Sequence, residues 1–133
     1  MTDLLDLTPK SDEVVIEVKH PTTEEVLKND DGSNMTITVH ATHSKEYKKV
    51  VHEIANKRIK VAKKNKSTDF TIEELEESAL ETVIKITKSW NITYDGSMPK
   101  LTEAKAREVY EKVFWIAPQI EVGLQSSLDF MKA

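Results

Sequence analysis

Two short stretches near the start of the chain alternate hydrophobic and polar residues, as β-strands do. Residues 14–18 and 35–39 place β-branched or other apolar side chains at every second position. Turn-forming clusters at residues 20–23 and 29–33 separate and flank these stretches. We therefore predict an antiparallel β-hairpin over residues 13–42. Because an isolated hairpin is only marginally stable, we expect it to lie on the helices or on a partner's sheet.

After Ser44, a favourable N-cap residue, the hydrophobic positions recur with helical spacing. They are Tyr47, Val50, Val51, Ile54, Ala55, Arg58 (by its aliphatic stem), Val61 and Ala62. Lysines occupy most of the other faces. This pattern predicts a basic helix over residues 44–66.

A second helix has the clearest start signal in the chain. Thr71 and Glu74 have the spacing of a capping box, and Phe70 and Leu75 have that of a hydrophobic staple. The acidic first turn also suits the helix dipole. The apolar stripe then continues at Ile72, Leu75, Ala79, Val83, Ile86 and Trp90. We predict an acidic-start helix over residues 71–90.

The C-terminal third predicts two more helices. Residues 91–101 contain turn signals and form a loop. Thr102 can cap a helix over residues 102–114. Pro118 suits the first turn of a helix over residues 118–131. The fold class is therefore α+β and mainly helical, with a β-hairpin followed by four helices. We expect a single domain over residues 13–133, preceded by a flexible arm over residues 1–12.

The formal net charge of −4 conceals a strong segregation of charge. Residues 45–66 hold nine basic and two acidic residues, whereas residues 69–81 hold six acidic residues and no basic ones. Antiparallel pairing of the two helices, or self-assembly, would place these blocks side by side. We expect a charged assembly face formed by Lys57, Lys60, Lys63, Glu73 and Glu77.

The composition argues against an enzyme. The chain has no cysteine, and its three glycines are too dispersed to form a phosphate-binding loop. The four histidines, at positions 20, 40, 43 and 52, do not form an HExxH pattern, and no GxSxG motif occurs. We expect no catalytic residues, no cofactor and no metal site. Without an apolar run of about 18 residues or a basic leader, we expect a soluble intracellular protein rather than a membrane protein.

Six of the eight aromatic residues lie in the last third of the chain: Trp90, Tyr94, Tyr110, Phe114, Trp115 and Phe130. At helical spacing such residues often belong to a core. The block Phe114-Trp115-Ile116 next to Pro118 is nevertheless hard to bury on all sides, which is typical of a partner contact. Both interpretations remain open from the residues alone.

The region from residue 89 to residue 120 also resembles a known family. The matching residues are Trp90-Asn91-Ile92-Thr93, Asp95-Gly96, Leu101-Thr102, Ala106, Val109-Tyr110, Phe114-Trp115-Ile116 and Gln119-Ile120. This arrangement resembles the C-terminal signature of the tail assembly chaperones of tailed bacteriophages. Met98 and Lys100 depart from it, because the family's turn before the helix is often richer in Pro and Phe.

The resemblance implies a protein without enzymatic activity. It would bind the tape-measure protein, keep it soluble and help recruit tail-tube subunits, in the cytoplasm of the infected bacterial host. By the resemblance, the fold-defining or partner-facing positions are Trp90, Asp95, Gly96, Tyr110, Trp115 and Gln119. Together with the exposed apolar block, this predicts partner binding at Trp90, Tyr110, Phe114, Trp115 and Gln119, and a homo-oligomer is expected from the charge blocks.

Two alternatives follow from other features. A structural protein retained in the virion would use the hairpin to extend a neighbouring sheet and the leucine-bearing arm to hold a partner. A nucleic-acid-binding module would use the basic residues of 45–66 to neutralise phosphates. The residues favour pairing of the basic helix with the acidic helix over nucleic-acid binding, because only Tyr47 supplies an aromatic side chain for base stacking in this region.

Overall fold

The computed structural model describes Leu4, residues 11–65 and residues 71–126. Its elements are β1 (Glu13–Glu17), β2 (Thr36–His40), α1 (Lys45–Asn65), α2 (Ile72–Ile86), β3 (Thr87–Asn91), α3 (Glu103–Lys112) and α4 (Ile116–Ser126). Most of the predicted arm, the staple residue Phe70 and the predicted end of the last helix at residues 127–131 lie outside the described residues.

The predicted hairpin is confirmed, and it belongs to a larger sheet than expected. β1 and β2 pair antiparallel, with Ile16 opposite Ile37. β3 joins the other edge of β2, also antiparallel, and places Trp90 opposite Ile37. The strand order is β1-β2-β3, and the register between β2 and β3 shifts at Thr38/Val39.

The predicted helix over residues 71–90 is wrong in its last turn. α2 ends at Ile86, and Thr87 takes up an extended conformation while its hydroxyl donates a hydrogen bond to the carbonyl of Val83 at 2.7 Å. Residues 87–91 continue as a strand because pairing with β2 satisfies their backbone groups and keeps Trp90 on the inner face. Trp90 is the one apolar residue of this segment and also continues the helical spacing of Val83 and Ile86, so local spacing could not reveal the strand.

The starts of the remaining helices follow the predicted signals closely. Ser44 caps α1, because its hydroxyl accepts the backbone N–H of Tyr47 at 3.1 Å. Thr102 caps α3 in the same way. The last helix begins at Ile116 rather than at Pro118, so the proline occupies its first turn, where its missing N–H costs no helical hydrogen bond.

All the helices that bury core residues lie on one face of the sheet. Ile16, Ile37 and Val39 point inward and pack with buried residues of α2, α3 and α4. The opposite face is polar apart from Val15, and an ion pair between Lys88 and Glu13 crosses it above β2. The fold is therefore an α+β arrangement of two layers with one open sheet face.

A close approach fixes α4 on the edge strand β1. A Cβ atom at Gly123 would lie 2.8 Å from Cγ1 of Ile16, so the glycine allows the helix backbone to reach the strand. At the same end of the sheet, Gln119 bonds to the backbone of Lys19.

Within the part of the chain that the structure describes, no helix has both the length and the apolar character required to cross a membrane.

The two N-caps of the helical hairpin differ in how closely they are coupled to the core. Ser44 is buried, and its hydroxyl also donates to the carbonyl of Ala41 at 2.7 Å, whereas Thr71 caps an exposed helix end. We expect Ser44→Ala to lower the free energy of unfolding by about 1–2 kcal/mol in urea titrations. Thr71→Ala should cost less than half as much, because fraying of an exposed first turn releases no buried contacts. Equal losses would contradict this assignment.

Candidate partner-binding surface

The helical hairpin α1–α2 exposes apolar side chains that the core does not cover. Ile72 is 72% exposed and Ile59 is 51% exposed. Together with them, three other exposed apolar residues of α1 and α2 form what we call the hairpin surface: Val51, Ile59, Val61, Ile72 and Leu75. Several large apolar side chains exposed on one helical pair are typical of an interaction surface rather than of a solvated face.

The exposure of this surface follows from the lengths of the elements. α1 has 21 residues and is therefore about 31 Å long, whereas a five-residue strand spans only about 17 Å. Tyr47 and Val50 pack against the core at the start of α1, and Val83 and Ile86 pack there at the end of α2. The distal half of the hairpin, around the end of α1 and the start of α2, therefore extends past the core.

A groove of about 330 Å³ runs between the two helices. Ile54 and Val61 supply apolar side chains from α1, and Ile54 is buried apart from the main core cluster. Glu73, Glu74 and Glu77 line the groove from α2. It has the combination of an apolar base and a charged rim that suits a side-chain row of another helix.

Ion pairs connect α1, α2 and α3 near the inner end of the groove. Nζ of Lys57 lies 3.6 Å from the carboxylate of Glu81, which also faces Lys85 at 3.5 Å. Arg107 of α3 approaches Glu77 at 2.7 Å. This hydrogen bond lowers the pKa of Glu77 and raises the pKa of Arg107, so both groups stay charged. Because these groups are partly exposed, the pairs orient the helices more than they stabilise them.

These contacts separate the five residues of the predicted charged assembly face into two groups. Lys57 and Glu77 are engaged within the chain, whereas Lys60, Lys63 and Glu73 are exposed and form no ion pair among the described residues. The juxtaposition of a basic and an acidic helix is therefore present, but direct pairing is confined to the part of the hairpin nearest the core.

Two of the predicted partner-binding residues are parts of the core. Tyr110 is 2% exposed, and its hydroxyl lies 2.7 Å from that of Thr87. Trp90 is half-buried, meets the ring of Tyr110 edge-on with 6.2 Å between centroids, and donates its indole N–H to the carbonyl of Pro99. Both aromatics hold β3 against α3, so they are fold-defining residues.

Gln119 also has a structural role. Its carboxamide oxygen accepts the backbone N–H of Lys19 at 2.9 Å, and its amide nitrogen donates to the backbone carbonyl of the same residue at 2.8 Å. Trp115 packs partly against the core, whereas Phe114 is 76% exposed. Of the five predicted positions, Phe114 is the one that is fully available to a partner.

Ile72 and Leu75 belong to the apolar stripe of the predicted helix, and nothing in that stripe distinguishes them as partner-binding residues. The periodicity was correctly identified, but burial depends on how far the core reaches along the helix. The available signal was the length of the basic helix compared with the short strands. Among the described residues, no group of three or more His, Asp or Glu side chains is arranged so that it could hold a metal ion.

Comparisons of the chain with protein-family models, with curated proteins and with solved structures find no match. The hairpin surface must therefore be interpreted from its own chemistry.

Burial raises the pKa of Tyr110 to about 12 from an ordinary value of 10.0. The tyrosine of the unfolded chain therefore loses its proton at a lower pH than that of the folded protein. Its contribution to the free energy of unfolding is fully present below pH 10 and is lost as the pH rises toward 12. We expect the difference in unfolding free energy between wild type and Tyr110→Phe to change by about 2–3 kcal/mol over this interval. Urea titrations at several pH values measure it, and parallel profiles for the two proteins would contradict it.

The two hydrogen bonds of Gln119 predict a selective loss of stability. Gln119→Ala should lower the unfolding free energy by about 1–2 kcal/mol, since it removes both bonds to Lys19. Gln125→Ala on the exposed side of the same helix is the matched control and should change stability by less than about 0.5 kcal/mol. Similar effects of the two substitutions in thermal or urea unfolding would show that Gln119 does not anchor α4.

Proposed function

We propose that this protein is a non-enzymatic assembly chaperone of a tailed bacteriophage that binds helical segments of the tape-measure protein through the hairpin surface. The observation that carries the proposal is the set of exposed apolar side chains on α1 and α2, together with the groove between the two helices, which Val61 also lines. The resemblance of residues 89–120 to the tail assembly chaperones supplies the biological setting, the cytoplasm of the infected host.

The chemistry of the surface favours an amphipathic helix as the ligand. An extended helical protein exposes an apolar stripe before assembly, and covering that stripe keeps it soluble. Ile54 and Val61 offer apolar contacts at the base of the groove, while Glu73 and Glu74 on the α2 side offer charged ones. Apolar burial would provide most of the affinity, and the charges would select the orientation of the bound helix.

Recruitment of the tail-tube protein would require a second surface. Phe114 is 76% exposed in the turn between α3 and α4, and Val122 is 64% exposed on α4, so both lie away from the hairpin. We assign this second contact to Phe114 and its surroundings.

The alternative functions have weaker support. A nucleic-acid ligand on α1 would meet the carboxylates of α2 beside the lysines, and Lys57 is already paired with Glu81. A virion protein that extends a neighbouring sheet would use an edge strand, yet β1 carries Glu13 and Glu17 on the same face, as edge strands that resist such pairing do.

The proposal predicts that a charge placed on the hairpin surface blocks client binding. We expect Leu75→Glu to weaken binding of a fluorescein-labelled amphipathic tape-measure peptide by at least about tenfold, since a carboxylate replaces a desolvated contact. Val15→Glu, which also replaces an exposed apolar residue but on the open sheet face, should bind as the wild type does.

Fluorescence anisotropy gives the affinities, and circular dichroism establishes that both variants are folded. Absence of binding by the wild type to overlapping peptides covering the tape-measure protein would overturn the proposal. Equal weakening by both substitutions would move the contact away from the hairpin. A steeply salt-dependent shift with DNA or RNA would favour the nucleic-acid alternative instead.

A further inference from the structure

We propose that two copies of this chain pair through their hairpin surfaces as a two-fold symmetric dimer, in which α1 of each copy lies against α2 of its partner. The four helices would form an antiparallel bundle beyond the two cores. The inference rests on the same surface as the proposed function but concerns the protein without its client.

The first support is the distribution of apolar side chains. Both helices contribute exposed apolar residues, with Ile59 on α1 and Ile72 and Leu75 on α2. Val61, two residues after Ile59, points to another side of α1 and lines the groove. A two-fold axis brings the same patch of both copies together, so one contact removes both sets from water. When a pair of helices buries apolar residues on one side only, a second pair can cover the other side, as in four-helix bundles.

The second support is charge complementarity, which selects the arrangement. α1 has eight basic and two acidic residues, and α2 has five acidic residues and one basic residue. Contact of α1 with α1, or of α2 with α2, would oppose like charges. Contact of α1 with α2 of the partner opposes unlike charges, and the symmetry axis repeats this favourable contact twice.

The third support is that the distal charges of the hairpin form no ion pairs among the described residues. The hairpin residues that form ion pairs are Lys57, Glu77, Glu81 and Lys85. Farther from the core, the exposed charged side chains of both helices form no ion pair among the described residues: Lys60, Lys63, Lys64, Glu73, Glu74 and Glu76. These groups are placed where a second hairpin would meet them.

Pairing through the sheet edge is a poorer solution. An antiparallel contact between two β1 strands centred on Val15 would bring Glu13 and Glu17 of the two copies opposite each other, and like charges at such positions are destabilising. Among the described surfaces, the hairpin is thus the one whose charges favour a second copy.

A charge-swap experiment tests this dimer without any client. The first variant combines Lys60→Glu with Lys64→Glu, and the second combines Glu73→Lys with Glu74→Lys. We expect the wild type to sediment as a dimer that weakens with added salt, and each variant alone to dimerise at least about tenfold more weakly, because like charges then face each other. An equimolar mixture of the two variants should recover the dimer, since both of its contacts again join unlike charges.

A third protein with Lys100→Glu and Lys112→Glu, two reversals outside the hairpin, is the matched control and should dimerise as the wild type does. A monomeric wild type at millimolar concentration would overturn the inference, and so would a mixture that fails to associate although each variant is folded. Addition of the client peptide distinguishes the two proposals: it should dissociate the dimer, whereas failure to dimerise leaves peptide binding by the monomer measurable.

Discussion

Coverage of the sheet on one face only is the constraint on which the rest of the molecule depends. The inner face of β2 carries Ile37 and Val39, both fully buried, and α2, α3 and α4 bury their own apolar residues against it. A sheet of five-residue strands supports a core that is shorter than the 21-residue helix α1. The hairpin surface is the direct result, because the helices continue their apolar pattern after the core has ended.

Much of the fold could be predicted from local signals. The cap at Ser44, the cap at Thr102 and the alternation in β1 and β2 each depend on residues close together in the chain, so the sequence contains them directly. β3 depends instead on pairing with β2, some fifty residues earlier, and its segment also fits the helical stripe that ends at Trp90. Where the same residues fit both a helical and a strand period, hydrogen bonds to a distant strand decide which element forms. A single sequence does not show those hydrogen bonds.

The candidate site was less predictable for a related reason. Trp90, Tyr110 and Gln119 attracted attention by their residue type, yet their polar atoms bond within the chain to Pro99 and other internal partners. Leu75 lies on a regular apolar stripe and would be assigned to the core in most proteins. Whether a stripe is core or interface depends on what lies opposite, which is a property of the folded layers and not of the stripe.

The edge-on contact of Trp90 with Tyr110 has a spectroscopic consequence. Both tryptophans of the chain, Trp90 and Trp115, lie beside the core, and the hairpin has none. Tryptophan emission therefore reports the packing of the sheet against its helices rather than what occupies the hairpin. Unfolding and association can thus be followed in one sample by separate optical signals, the first from the native tryptophans and the second from a label on the ligand.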